Sequence, residues 1–254
     1  MVFNKLTRIV MRKPSTKNLN ALPKPTELQR ICKSISAIEA ILCPEWEDRY
    51  FSYQKQWSET EECCEMRNGE GDQMLILFGS KGTVINGFAH ESSMNGWQQI
   101  EIEEKKSLLQ RMIGKKAQPK IERIQHIWNG VTEGLPQAFQ EFVFGEPVRS
   151  IGTTFCIWAN KDDREWTIGD ITFPEDDYSD GSEELLALLN GDPVTYRSWA
   201  MEYYELDKLN LESVRSIYDQ QLINEELVNK LNPDLQDIDR LKSDLEEIGV
   251  ASKL

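Results

Sequence analysis

The apolar positions of the chain follow two periods, and the change from one to the other outlines the elements. Leu28, Ile31, Cys32, Ile35, Ile38 and Leu42 recur at the three- and four-residue steps of one helix face. Thr26, with Gln29 three residues later, has the form of a capping box at the start of that helix, and Pro44 stops it. The period then shortens. Phe51, Tyr53 and Trp57 stand at odd positions and predict a strand face over 50–57. Residues 61–67 predict a second strand despite their three glutamates. The turn NGEGD at 68–72 leads into MLILF at 74–78, a continuous apolar run of the kind a buried strand carries. GSKG turns the chain once more into TVINGF, so a meander of antiparallel strands is expected.

Further along, Ile100, Ile102, Leu108, Leu109, Met112 and Ile113 suggest a helix over 98–113. GKKAQPK at 114–120 reads as a short basic linker. IERIQHIW follows, with His126 expected on a helix, and GLPQAFQEFVFGEP places Pro136 near a helix start and Gly145 near its end. TTFCIW at 153–158 and WTIGDITF at 166–173 predict a second strand block joined by the turn ANKDDRE. Beyond Pro174 the pattern is helical: 182–192, 194–206, a short helix from Leu211, 224–233, and a last helix with Leu235, Ile238, Leu241, Leu245 and Ile248 on one face. The fold class these elements imply is α+β, with antiparallel sheet segments covered by helices and a helical C-terminal part. Residues 1–25 read as an N-terminal arm or short packing helix, and 26–250 as one α+β domain or two packed lobes with a seam near 114–120.

Charge narrows the partners. The chain has 43 acidic against 29 basic side chains, a net charge of -14. That balance opposes nucleic acid and anionic lipid and suits a basic protein. No apolar run is long enough to span a membrane, and lysines and arginines interrupt the first apolar residues, so a cytoplasmic protein with no membrane partner is expected. The five cysteines form no CxxC pair and do not read as a disulfide framework. Cys63 and Cys64, adjacent on an expected strand, point to opposite faces and make a poor metal clamp.

Imidazole chemistry is restricted to two histidines, His90 and His126. His90 lies in NGFAHESSMNGW, at a strand exit beside Glu91, Ser92 and Ser93. Adjacent residues on an extended segment diverge, so this neighbourhood is a turn or binding feature before it is a relay. The chain has no GxSxG, HExxH, GxGxxG or GxxxxGK[ST]. The acids of GDITFPEDDYSDGSEELL at 169–186 are oxygen donors, but their spacing fails an EF-hand loop, with Tyr178 at the third position and Ala187 at the twelfth. Asp180 or Ser182 fits better as a cap for a helix beginning near Glu183. No metal and no cofactor is expected. The residues singled out for binding are His90, Glu91, Asp170, Asp176, Asp177 and Asp180.

NGFAHES, TTFCIW and GDITFPEDDYSDGSEELL together resemble segments of uncharacterised bacterial cytoplasmic proteins, over roughly residues 26–248. Such proteins sometimes resemble immunity components of polymorphic toxin systems, and GLPQAFQEFV is similar to the Leu-Pro helix start of SMI1/KNR4-like immunity proteins. The resemblance implies a non-enzymatic protein-interaction role, in concrete form an immunity-like binding of a basic protein, and the clustering of acids makes the loop near 175–184 its first candidate surface. Two alternatives stand beside it. One is a carboxylate-dependent or metal-assisted hydrolase, which needs His90 or several acids to converge in a cleft. The other is a structural or scaffold protein that forms an oligomer.

Overall fold

The computed structural model describes residues 13–103, 119–175 and 179–254. Helix α1, Pro25–Leu42, starts with Pro25 at its first position, where the missing N–H costs nothing, and Leu28 N–H closes the first turn on the Lys24 carbonyl. The Thr26 capping box does not form: Lys24 is the cap residue and no side chain caps this end. The next strands are β1 (Phe51–Gln54), β2 (Glu61–Arg67), β3 (Gln73–Gly79) and β4 (Gly82–Phe88). With β7 (Phe155–Asn160) they make one five-stranded antiparallel sheet in the order β1-β2-β3-β4-β7.

Both faces of this sheet are covered, which explains why MLILF is apolar without alternation. Met74, Ile76, Phe78, Ile85, Phe155 and Ile157 face the main core with α1 and the C-terminal helices. Leu77, Val84, Cys156 and Trp158 face a second core with Met94, Val131, Phe139 and Val143. Cys63 and Cys64 are both buried and belong to different clusters, on opposite faces as the strand period requires. The second face is closed by helices α2 (Gln137–Phe144) and α3 (Val148–Ile151).

Strand β1 ends at Gln54, so Trp57 does not share the strand face expected over 50–57. Three further expectations fail, each for a physical reason. Residues 97–103 form strand β5 (Trp97–Glu103), not the start of a helix, because Ile100 and Ile102 alternate with Gln and Glu. The residues that made the segment look helical, Leu108 to Ile113, lie outside the described residues. His126 is not on a helix: β6 (Pro119–Gln125) pairs with β5, and the His126 N–H donates to the Gly96 carbonyl at the open end of that hairpin. WTIGDITF makes only a single bridge, Trp158 to Thr167. Beyond it the chain leaves the sheet, and Gly169 lies so close to the Gly130 carbonyl that a Cβ would stand 1.8 Å from it. Residues 1–12 of the expected N-terminal arm and 114–118 of the expected linker also lie outside the described residues.

The helical C-terminal part begins with α4 (Ser182–Leu185), where the chain tightens into a 3₁₀ turn at Ala187–Asn190 instead of continuing. Helices α5 (Pro193–Tyr203), α6 (Leu211–Tyr218), α7 (Glu225–Leu231) and α8 (Ile238–Ile248) follow. Asp192, Asn210, Asn224 and Asp237 each accept a first-turn N–H of the helix that follows, at 2.9 Å. Such caps contribute about 1 kcal/mol each. Just before α7, β8 (Ile223–Asn224) pairs in parallel with β9 (Ser252–Lys253) at the chain end.

One carboxylate ties this part to α1. Glu39 lies on the apolar stripe of α1 and is fully buried. It accepts from Tyr196 Oη at 2.8 Å, from Tyr204 Oη, and from the Tyr50 N–H at 3.1 Å. Burial raises its pKa to about 7, and the hydrogen bonds from Tyr204 and Tyr196 work against that rise. Among the described residues no helix is long and apolar enough to cross a membrane.

Candidate functional site

The loop between β2 and β3 builds the setting of His90. Asn68 Oδ1 accepts from the N–H groups of Glu70 and Asp72 at 2.9 and 3.1 Å, and Asn68 Nδ2 donates to Asp72 Oδ2 at 2.9 Å. Gly71 has a φ of +108°, which favours glycine, and a Cβ there would crowd the His90 ring at 3.1 Å. The loop thereby aims Asp72 Oδ1 at the exit of β4. It accepts from the His90 N–H at 2.8 Å and lies 3.1 Å from His90 Nδ1. This fixes the ring orientation and leaves Nε2 outward, 3.9 Å from Glu91 Oε1. The outward nitrogen is available to bond a ligand. The serines beside His90 do other work. Ser92 is buried, donates to the Ser179 carbonyl at 2.6 Å and accepts from the Met94 N–H at 3.0 Å.

The β5–β6 hairpin is fixed to the sheet at its base by one amide. Gln125 Nε2 donates to the carbonyls of Asn95 and Thr153 at 2.7 and 3.0 Å, and Gln125 Oε1 accepts from the Thr153 N–H at 2.8 Å. Gly152 has a φ of +109°, and a Cβ there would approach Phe88, Trp97 and Gln125 within 3.0 Å. Two hollows flank this base. One, of about 670 Å³, is walled by Ile124, Val143, Phe144 and Arg149. The other, of about 540 Å³, is walled by Trp57, Gln73, Phe88 and His90. They share Trp97, Arg123 and Ser150 and so adjoin, the two halves of a groove along the hairpin base. Arg123 lies over the Trp97 ring at 4.8 Å, which makes the shared wall a cation–π pair. Phe144 is 45% and Ile124 38% exposed, so the groove presents apolar surface to solvent.

The residues singled out in the sequence separate here. His90 lines the groove, and Glu91 extends into solvent beside it. Asp180 is buried: Thr16 Oγ1 donates to its Oδ2, and the Ser182 N–H and Oγ donate to its Oδ1 at 3.0 and 2.8 Å. The capping expectation fails, since Gly181 is the cap residue of α4 and no side chain caps it; Asp180 instead receives the Ser182 N–H from just outside the helix and offers no exposed carboxylate. Asp170 is exposed and lines neither hollow. Asp176 and Asp177 lie outside the described residues. Sequence reading missed Asp72, whose only signal was its place at the end of a glycine-rich turn, Trp97, which closed the strand-exit segment, and Arg123, which lay in a segment expected to be helical.

Burial pushes the thiols of Cys63, Cys64 and Cys156 up, so none is a poised nucleophile. Among the described residues no group of three or more His, Cys, Asp or Glu side chains is placed to hold a metal ion. Comparison with protein-family models finds no match, and neither the curated proteins nor the solved structures give a significant one.

Proposed function

We propose that the protein acts by binding another protein, in an immunity-like way, and that the groove at the base of the β5–β6 hairpin seats a segment of that partner. The observation that carries this reading is the groove itself. Two adjoining hollows share a Trp97–Arg123 wall, and Ile124 and Phe144 stand exposed along it. Exposed aromatic and aliphatic side chains around a preformed concavity are what anchors of a partner chain use. The partner is basic. The net charge is -14, and residues 182–254 alone carry sixteen acidic against seven basic side chains. Such a field speeds encounter with a cationic protein and disfavours an anionic one. The cell compartment in this reading is the cytoplasm.

The test is affinity capture from native cells, comparing the wild-type chain with Ile124→Ser/Phe144→Ser, which leaves the charge unchanged. The reading expects a basic protein retained by the wild type and lost from the variant. Identical captured sets from the two would overturn it.

A further inference from the structure

We propose that the exposed face of Tyr203 is the docking point for an arginine side chain of the basic partner. The inference rests on the protein-binding reading above but uses a different surface. Tyr203 is the last residue of α5 and stacks on Trp199 one turn earlier, with ring centroids 4.8 Å apart and planes 21° apart. Tyr50 meets its edge at 5.2 Å and 76°, and Tyr204 at 5.0 Å and 87°. Tyr50 in turn lies 4.6 Å from Trp199. Three rings therefore hold Tyr203 rigid, yet it remains 41% exposed. A rigid aromatic with an open face loses little entropy on binding.

The surroundings select the occupant by charge. Glu202 and Glu205 flank Tyr203 and Tyr204 and are exposed, and no basic residue occurs from Trp199 to Asp207. Asp48 and Glu70 come from other segments. After burial, Glu39 and Cys43, their charges help raise the Tyr203 phenol above its ordinary range. A cation on this ring gains both the π face and the carboxylates. The same end of the sheet already shows the pairing: Arg67 lies over the Trp46 ring at 4.2 Å, and its N–H donates to the Tyr50 carbonyl at 2.9 Å. Among the described residues no cation lies on Tyr203. Arginine fits better than lysine, because a planar guanidinium continues the Trp199–Tyr203 stack and turns its donors toward the carboxylates. A second copy of this chain is a poor occupant, since it would bring two acidic rims together.

Fluorescence anisotropy with a labelled eight-residue peptide of alternating glycine and arginine, at physiological salt, tests this on the full chain. The wild type is expected to bind it about threefold or more tightly than the glycine–lysine counterpart. Tyr203→Leu, which keeps the net charge, is expected to weaken binding by about threefold or more. Asp48→Asn/Glu70→Gln is expected to weaken it as much, and Glu225→Gln/Glu226→Gln on α7, with the same loss of charge, by less than about 1.5-fold. Independently of any variant's folding, the Trp199 indole N–H signal of the wild type should shift as peptide is added. No saturable binding, an unmoved Trp199 signal, or equal weakening by both charge-loss variants would overturn the proposal. The groove variant Ile124→Ser/Phe144→Ser should bind the peptide as the wild type does. Failure here with groove-dependent capture intact therefore rejects only the arginine seat, whereas loss of both rejects the binding reading as well.

Discussion

Replacing Glu39 by glutamine should reverse its effect on stability across the neutral range. In the folded chain the carboxyl is fully buried and its pKa is about 7, whereas an exposed glutamate titrates near 4.3. The folded state therefore holds its proton to higher pH than the unfolded state. Stability contributed by this group is complete below about pH 4.3, falls as pH rises, and is lost above about pH 7. At about 1.4 kcal/mol per pH unit of separation, the loss is roughly 3.5 kcal/mol. Glutamine fills the same space and does not titrate, while the other acidic groups are common to both chains. Urea unfolding of wild type and Glu39→Gln from pH 4.5 to 8 isolates the difference. The variant should gain about 3 kcal/mol or more relative to wild type over that interval. A difference constant within about 0.5 kcal/mol would refute the reasoning and mean that Tyr196, Tyr204 and the Tyr50 N–H hold the carboxylate ionised throughout.

Other substitutions separate the structural from the functional polar groups. Asp180→Ala leaves Thr16 Oγ1 and the Ser182 donors without their acceptor in a buried site. It should cost about 2–3 kcal/mol in urea unfolding, and an effect under about 0.5 kcal/mol would contradict the buried role. Gln125→Ala removes the three hydrogen bonds at the hairpin base. Amide exchange over 97–100 should speed by about tenfold or more while β3 stays protected, and uniform change across both would show that the hairpin does not open independently.

The sheet was legible because its strands carry the strongest local patterns. MLILF is an apolar run and TVINGF carries Val84 and Ile85 beside it, both next to glycine turns, and their pairing follows from the short connection. The C-terminal helices were legible through their apolar faces, above all Ile238, Leu241, Leu245 and Ile248, whereas the caps Asp192, Asn210 and Asp237 went unread. The β5–β6 hairpin was not, because a period of two over 97–103 runs directly into helix-like leucines at 108 and 109. The site was only partly legible. His90 stood out by scarcity, but its partner Asp72 is eighteen residues away and meets it only because β3 and β4 pair Gln73 with Phe88. Glu39 left a readable signal, a lone acid on an apolar helix face, that was passed over. Tyr203 left none, since its environment is assembled from Tyr50, Asp48 and Glu70 on distant segments.

The most direct test of the groove is the affinity of the captured basic partner, measured by calorimetry, for the wild type and for Ile124→Ser/Phe144→Ser. Two exposed anchors at about 1 kcal/mol each predict at least a tenfold weaker complex for the variant, with the fold intact by circular dichroism. Equal affinities for the two chains would contradict the claim that this groove seats the partner.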